Sequence, residues 1–357
     1  MRARSLAAVV AIGISIGAVA QTLPIENIQL RGDRFRGLHY REMTEEQRAL
    51  LHNVVNSARA VTNTTGNGPF NTLLRSPLVG EQSQQLGNAI RFSSGLSGHE
   101  RELATLMAGR AWTSTYEWYA HARYALDEGI DASVVDAIAA HRAPDLRAMP
   151  AEDAMVWRVA DELLYTRRVT DATYKEALAV LGERRLLSTV TISAYYEYVS
   201  MLLNVDRYPL PADAPAEAAA AAHALEGLTA DALHREPDGV VTPRRAIPNE
   251  DTERALAALG ASVQRDDELP SWARVIARSV VAWRWNRERG PRLSTPDGSV
   301  VQRFAEELLD TRFVSDATFA AALGVLGERG LVNLMVLMGH SNIRCAQHAL
   351  AGNACSL

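Results

Sequence analysis

Apolar residues recur along the chain at the spacing of α-helices. The clearest stripe lies within residues 97–130 and has the i, i+3, i+4, i+7 pattern of one helical face: Leu103, Leu106, Met107 and Arg110. Further helices are predicted at 43–59, 80–92, 133–140, 151–167, 171–181 and 186–205. Because no useful length of sequence alternates between apolar and polar residues, as a half-buried strand would, the pattern predicts an all-α fold.

Polar residues divide the stretch 97–130 into two helices. Ser97 with Glu100, and Ser114 with Glu117, each have the spacing of a capping box, so a second helix is expected after Ser114. On it Glu117 and His121 are four residues apart and share a face. A carboxylate and an imidazole in contact can transfer protons in catalysis. The spacing alone also fits two non-catalytic roles: Glu117 as part of the helix cap, or the Glu117–His121 pair as an exposed surface contact.

The first 20 residues have the pattern of a secretory signal peptide. Arg2 and Arg4 precede a largely apolar run at 6–16, and Ala18 and Ala20 form an A-x-A cleavage site. The run is shorter than the ~20 residues that a membrane-spanning helix requires. We therefore expect cleavage after residue 20 and a periplasmic or secreted mature protein without membrane contact. An uncleaved anchor is the alternative.

A repeated motif indicates how the remaining residues are organised. The sequence ADELLYTRRVTDATY at 160–174 returns as AEELLDTRFVSDATF at 305–319, and roughly two-thirds of positions agree over about 28 residues. The offset of about 145 residues is too long for a solenoid, so two domains fused in tandem are predicted. The predicted organisation is a signal peptide at 1–20, an arm at 21–42, a complete domain at 43–207, a linker at 208–245 and a degenerate second domain at 246–357.

The arm at 21–42 and the linker at 208–245 are largely irregular in sequence. The arm carries four arginines, and it is interpreted either as a segment that wraps a neighbouring subunit or as a solvated lead-in: Arg31, Arg34, Arg36 and Arg41. The linker combines several prolines with an alanine run, which predicts an inter-domain tether containing one helix.

The second copy is the shorter one, and it lacks the segment that carries Glu117 and His121. Trp285 corresponds to Trp112 of the first copy, and about 28 residues are missing after it. Val275 stands at the position that corresponds to Glu102. We expect the second copy to have kept its packing helices and to stand in for a partner subunit.

The block from Glu102 through Ser114, Glu117 and His121 to Asp136 resembles the core of the carboxymuconolactone decarboxylase family, which includes the alkylhydroperoxidase D-like proteins. The peroxidase branch of that family spaces a Glu, two Cys and a His along two helices. Here the Glu corresponds to Glu102 and the His to His121, while Ser114 and Glu117 stand at the Cys positions. The resemblance implies an alkylhydroperoxidase D-like fold and an acid–base pocket of Glu102, Glu117 and His121. Without a thiol there, it favours the thiol-free, decarboxylase-like branch.

The function implied by the resemblance is that of a cofactor-free acid–base lyase acting on a small carboxylated or lactone-type substrate. Two carboxyl groups that share a site raise the pKa of one of them, and an imidazole can carry the proton. Arg110 and Arg123 are expected to bind the substrate carboxylate, with Arg91 also near in sequence. Trp118 is expected either to line the site or to pack in the core. The alternatives are a non-catalytic exported binding or assembly protein and, less favoured, a peroxidase.

The remaining features limit the expected partners. The 357 residues carry a formal net charge of −5, and no basic–aromatic patch or phosphate loop indicates a nucleic-acid partner. Neither a cofactor nor a metal site is predicted. Cys345 and Cys355 are expected to form a disulfide that fixes the carboxyl terminus in an oxidising compartment. The resemblance implies a homo-oligomer, such as a trimer of two-domain chains.

Overall fold

The computed structural model of the protein describes residues 24–57, 66–225, 227–248 and 250–357. The predicted signal peptide at 1–20 lies outside these residues. Over the described ranges the chain is helical without any β-strand, and Gln29 and His39 form one isolated bridge. The predicted all-α fold class is therefore confirmed.

The helices fall into two sets joined by a connecting segment. The first set comprises α1 (Glu45–Val55), α2 (Phe70–Leu73), α3 (Pro77–Phe92), α4 (Gly98–Ala111), α5 (Thr115–Asp127), α6 (Ala132–Ala139), α7 (Ala151–Thr166) and α8 (Asp171–Asp206). The connecting segment contains α9 (Ala216–His223) and α10 (Ala230–Leu233). The second set comprises α11 (Glu250–Arg265), α12 (Ser271–Asn286), α13 (Pro296–Thr311) and α14 (Asp316–Leu350). Helices α4, α7 and α8 pack together, as do α12, α13 and α14.

Local sequence explains how α4 ends and α5 begins. Ser97 and Glu100 form the predicted capping box at the start of α4: Glu100 N donates to Ser97 Oγ (3.2 Å), and Ser97 N donates to Glu100 Oε2 (2.8 Å). The capping box predicted for Ser114 and Glu117 is wrong, because Ser114 makes no side-chain capping hydrogen bond. Thr113 turns the chain between the two helices with a φ of +48°. Glu117 is buried instead of capping the helix.

Helices α8 and α14 each consist of two helical halves that meet at a kinked glycine. The sequence predicted separate helices at 171–181 and 186–205, and Gly182, with a non-helical φ of +73° and ψ of 169°, does break α8 between them. In α14 the corresponding Gly327 has a φ of +65°. A positive φ costs glycine little because it has no Cβ, so each long helix can bend here. The bend lets the second half of α8 lie along the core.

The two sets meet where α8 packs against α14 and α3 packs against α11, an interface called the seam below. Trp112, directly after α4, donates to Glu197 Oε1 of α8 (3.0 Å), and Trp285 of α12 donates to Asn342 Oδ1 of α14 (2.8 Å). Asn342 in turn donates to Glu197 Oε2 across the seam (2.9 Å). Each set therefore places a buried tryptophan against a polar residue of its own central helix.

The arginines that follow α7 and α13 cross the seam in a reciprocal way. Arg167 of the first set lies with Cζ 4.9 Å from the ring centroid of Trp285, and Arg312 of the second set lies 4.7 Å from that of Trp112. Both arginines have a left-handed backbone, with φ of 59° and 70°. The helix pairs thus share their caps, kinks and seam contacts. Their descent from one duplicated domain stays a prediction.

The described part of the predicted arm packs onto its own chain and is not a free, solvated lead-in. Arg34 Nη1 donates to Val205 O at the end of α8 (3.1 Å), and its Nη2 donates to Val314 O just before α14 (2.7 Å). Phe35 is fully buried and packs edge-to-face on Phe319 of α14, with centroids 5.7 Å apart. The arm therefore binds both sets at once.

The predicted linker is also packed, and it contains two helices where one was expected. Helix α9 lies against α5, and Ala222 is buried there. Arg244 Nη1 donates to Leu350 O and Nη2 to Val169 O, both at 2.9 Å. These contacts connect the segment to both helix sets, so it is held in place along its length.

Helix α14 is long and apolar enough to cross a membrane by length and composition alone. It bends at Gly327, however, and 61% of its most apolar 18-residue stretch is buried inside the protein. Burial of this kind is the property of a central core helix, and α14 packs mainly against α8.

Candidate active site

Three helices supply the charged side chains of the site. Glu102 comes from α4, Glu117 and His121 from the first two turns of α5, and Arg91 from the last turn of α3. Helices α4 and α5 approach closely at Gly109, where a Cβ would lie 3.2 Å from Glu117 Cβ. A small residue at 109 thus lets the two acidic side chains share one pocket.

His121 lies between the two carboxylates. Its Nδ1 is 2.5 Å from Glu102 Oε2, and its Nε2 is 3.4 Å from Glu117 Oε2. All three residues are buried, with exposures of 1% for Glu102, 3% for Glu117 and 7% for His121. The structure therefore brings together all three residues predicted to be catalytic.

Two arginines neutralise Glu102 from the side opposite His121. Arg91 Nη2 donates to Glu102 Oε1 at 3.0 Å, and Arg101 Nε donates to the same oxygen at 3.2 Å. Burial raises the pKa of this carboxyl, but His121, Arg91 and Arg101 outweigh burial and lower the pKa to about 2. Glu102 is therefore ionised throughout the physiological pH range.

An ionised Glu102 determines how the imidazole is used. A carboxylate accepts hydrogen bonds and has no proton to donate, so Nδ1 of His121 must carry the proton toward Glu102. Nε2 then faces Glu117 and can give it a proton or take one. The arrangement resembles a relay in which one carboxylate orients the imidazole and the other acid exchanges protons with it.

Two tyrosines complete the surroundings of His121, and neither was identified as a site residue from sequence. The rings of Tyr196 on α8 and Tyr124 on α5 meet the imidazole edge-to-face, with centroid distances of 5.0 and 5.4 Å. Arg91 also donates to the Tyr196 hydroxyl through Nη1. Tyr196 follows the other site residues by a long stretch of chain, so only the packing of α8 against α4 brings it here.

A cleft of about 540 Å³ opens beside these groups. Its lining includes Arg91 and Arg101, which hold Glu102, and Arg185, which pairs with Glu100. The Phe92 ring at its edge is 48% exposed. The cleft therefore presents guanidinium groups and an aromatic face. Glu102, Glu117 and His121 do not line it, and Arg91 and Arg101 connect it to Glu102.

The three residues predicted to bind substrate do not line this cleft, and their role in binding stays a prediction. Arg110 turns toward α6, where its Nε donates to Ala139 O (2.8 Å). Arg123 is exposed, with Cζ 5.0 Å from the Tyr124 ring, and Trp118 is buried in the core at 3% exposure. The guanidinium groups in contact with Glu102 are those of Arg91 and Arg101. Arg110 and Glu102 both lie on α4 but have different hydrogen-bond partners.

The second set has no equivalent of this site. Val275 takes the place of Glu102 on α12 and is 63% exposed. Residues 287–295 connect α12 directly to α13 as a loop, where the first set has α5 and α6. The acid–base groups are therefore confined to the first set.

Both cysteines of the chain lie far from His121 in sequence, at the carboxyl terminus. Cys345 and Cys355 form a disulfide, and Asn286 accepts a hydrogen bond from Cys355 N (2.8 Å). The last residues are thereby fixed to the end of α12.

Comparison with known proteins supports the resemblance seen in the sequence. No curated protein matches the chain. The model of the carboxymuconolactone decarboxylase family matches residues 77–162, a segment that runs from the start of α3 into α7 and includes Glu102, Glu117 and His121. The similarity to the carboxymuconolactone decarboxylase family therefore extends over residues 77–162, and the all-α fold agrees with it.

Proposed function

We propose that the protein is an exported, cofactor-free acid–base lyase that acts on a small carboxylated or lactone-type substrate. The observation that carries this proposal is the position of His121 between Glu102 and Glu117 in a buried pocket. Burying several ionisable groups together has a desolvation cost, and clusters of this kind are typical of catalytic sites. The family similarity supports the same general chemistry without identifying a substrate.

In the proposed reaction a substrate carboxylate binds Arg91, which lines the cleft and also contacts Glu102 and the Tyr196 that packs on His121. The bond from the substrate carbon to its departing carboxylate breaks, CO₂ leaves, and the electron pair remains as an enolate. Glu117 donates its proton to the enolate carbon. His121 Nε2 then returns a proton to Glu117 and recovers one from water, while Glu102 holds the imidazole in place.

The test is a thermal-shift screen of the chain from residue 21 against small lactones, keto acids and muconate-like acids. Any ligand that raises Tm is then assayed for CO₂ release and ring opening. We expect Glu117→Gln and His121→Ala to lower kcat by about 10²–10⁴-fold. His223→Ala, at an exposed position on α9, is the matched control and is expected to keep full activity. Binding without turnover in the unmodified protein, unaffected by either variant, would sink the proposal.

A non-catalytic binding or assembly protein is the second candidate, and one observation favours it. Glu102 already has His121, Arg91 and Arg101 as partners. These ion pairs alone would account for the buried group, as contacts that hold α3, α4 and α5 together without catalysis. In that case His121→Ala lowers Tm without changing ligand binding. A peroxidase is disfavoured because both cysteines of the chain are consumed by the Cys345–Cys355 disulfide.

A further inference from the structure

Three arginines gather at the seam, away from the candidate active site. Arg167 follows α7, Arg312 follows α13, and Arg284 lies in the last turn of α12. Arg167 and Arg312 are only 5% and 2% exposed, and the Arg284 side chain is 17% exposed. These residues, called the seam arginines below, come from both helix sets.

The carboxylates at this place do not balance the three positive charges. Glu197 is fully buried and accepts both hydrogen bonds from Arg167 Nη1, at 2.8 and 2.9 Å. Arg312 donates instead to two backbone carbonyls, Ala111 O and Leu309 O. Arg284 pairs with Asp310, whose side chain is 62% exposed and largely solvated. A buried cation without a matching anion is unfavourable, because backbone carbonyls and ring faces offset only part of its lost hydration.

Each seam arginine also retains a buried N–H group without an acceptor. Among the described residues, Arg167 Nε, Arg284 Nε and Arg312 Nη2 have no hydrogen-bond partner. Buried donors in folded proteins are nearly always paired, and an unpaired one costs about 1–3 kcal/mol. Three neighbouring cations thus each keep a donor to which a bound anion would offer an acceptor.

His234, just after α10, faces the same group of charges. Burial lowers the pKa of its imidazole, and Arg284, Arg312 and Arg167 lower it further, to about 4. Burial and the neighbouring Arg167 and Arg284 likewise lower the pKa of Arg312, to about 9. The imidazole is therefore neutral at physiological pH and adds no positive charge, while its position places the connecting segment beside the arginines.

We propose that the seam arginines bind a compact inorganic anion, such as chloride or phosphate. The anion would accept the unpaired N–H groups and balance the charge that Glu197 leaves over. Because Arg167 belongs to the first helix set and Arg284 and Arg312 to the second, the bound anion would hold the two sets together. Its role is structural and separate from the acid–base pocket.

The test is the thermal stability of the chain from residue 21 in sodium chloride, sodium phosphate and sodium gluconate at equal ionic strength. Concentrations stay below about 20 mM, where non-specific salt effects on burial are small. We expect chloride or phosphate to raise Tm in a saturable way by roughly 1–4 °C over gluconate, as a ligand of the folded state does. Identical melting in all three salts would overturn the proposal.

Variants locate the effect. Arg312→Met and Arg284→Met are expected to lose the anion-dependent rise, whereas Arg289→Met, at an exposed position of the α12–α13 loop, keeps it. An undiminished rise in both seam variants would also overturn the proposal. If neither variant folds, crystals of the unmodified protein grown in bromide decide the question by anomalous scattering. A bromide peak beside the seam arginines supports the site, and an ordered seam without one excludes it.

Discussion

At the scale of single residues, Glu102 organises the site. Its two oxygens are shared between His121 on one side and the guanidinium groups of Arg91 and Arg101 on the other. These charges keep the carboxylate ionised despite burial, and the ionised form fixes the orientation of the imidazole. The same contacts join α3, α4 and α5. Glu102 therefore both orients the imidazole and stabilises the packing of these helices.

We predict that replacing Glu102 with Gln removes a pH-dependent part of the stability. The pKa of Glu102 is about 2 in the folded protein against 4.5 normally, so its contribution is present above pH 4.5 and is lost as pH falls toward 2. The stability difference between wild type and Glu102→Gln, measured by urea unfolding, should approach roughly 3 kcal/mol near pH 6 and shrink steadily toward pH 3. Glu217→Gln, on the exposed face of α9, is the control. A difference that stays constant down to pH 3 would contradict the prediction.

Sequence reasoning found part of this site for a definable reason. Glu117 and His121 are visible from i, i+4 spacing, because both lie on one helix. Glu102 required the family resemblance, since it lies on the preceding helix. Arg101 and Tyr196 could not be found, because their roles depend on which faces of α4 and α8 meet.

At the scale of helices, the approach of α4 to α5 positions the two acids. A Cβ at residue 109 would lie 3.2 Å from Glu117 Cβ and 3.8 Å from Trp118 N. Such contacts leave little room for a methyl group between two packed helices. The backbone at Gly109 is thus part of the site's geometry.

We expect Gly109→Ala to push α5 away from α4. The added methyl group should destabilise the protein by roughly 1–3 kcal/mol and separate Glu117 from Glu102. Gly324→Ala in α14 is the matched control, because a Cβ there meets no atom within 4 Å and alanine favours a helix by about 1 kcal/mol. Both are read by chemical denaturation and by the ligand-induced Tm shift. Equal effects of the two substitutions would show that the approach of α4 to α5 is not tight.

A second helix-scale prediction concerns the end of α8, where the arm is attached. Asp206 Oδ1 accepts hydrogen bonds from Phe35 N (2.8 Å) and Asp33 N (3.2 Å). Burial outweighs these bonds and raises the pKa of Asp206 from 3.8 to about 6. A raised pKa means that the folded state holds its proton more tightly, so stability declines as pH rises from about 4 to 6.

Asp206→Asn should remove that decline while keeping an acceptor for the arm. Between pH 4 and pH 7 the stability of the variant relative to wild type should improve by roughly 3 kcal/mol, as measured by denaturant unfolding at each pH. Asp213→Asn, at an exposed position, should show no such trend. An Asp206→Asn protein that tracks wild type at every pH would refute the assignment.

The arrangement of helices was predictable where it is local and not where it depends on long-range packing. Periodicity located most helices, and the repeated motif at 160–174 and 305–319 marked corresponding pairs. The break within α8 was predictable because it is local: a glycine with positive φ commonly ends a helix, and Gly182 does so between the two halves. The packed arm was missed because its partners at Val205 and Val314 are distant in sequence.

At the scale of the whole molecule, the second helix set covers the seam face of the first. Glu197 of α8 is fully buried, and Asn342 of α14 donates to it at 2.9 Å. If two first sets paired in the same way, Glu197 would face another Glu197. Two buried like charges are unfavourable, so the asymmetry between Glu197 and Asn342 favours pairing of the first set with the second.

We therefore predict that a chain truncated to residues 21–207 aggregates or changes its oligomeric state. Its exposed α8 face would include Trp112 and the Arg167–Glu197 pair without Asn342, and self-pairing cannot replace that donor. Light scattering after size-exclusion chromatography compares the truncated and full chains. Coexpression with residues 246–357 is the control and should restore a soluble complex of one copy of each. A soluble truncated chain in the same oligomeric state as the full one would mean that the second set does not act as a built-in partner.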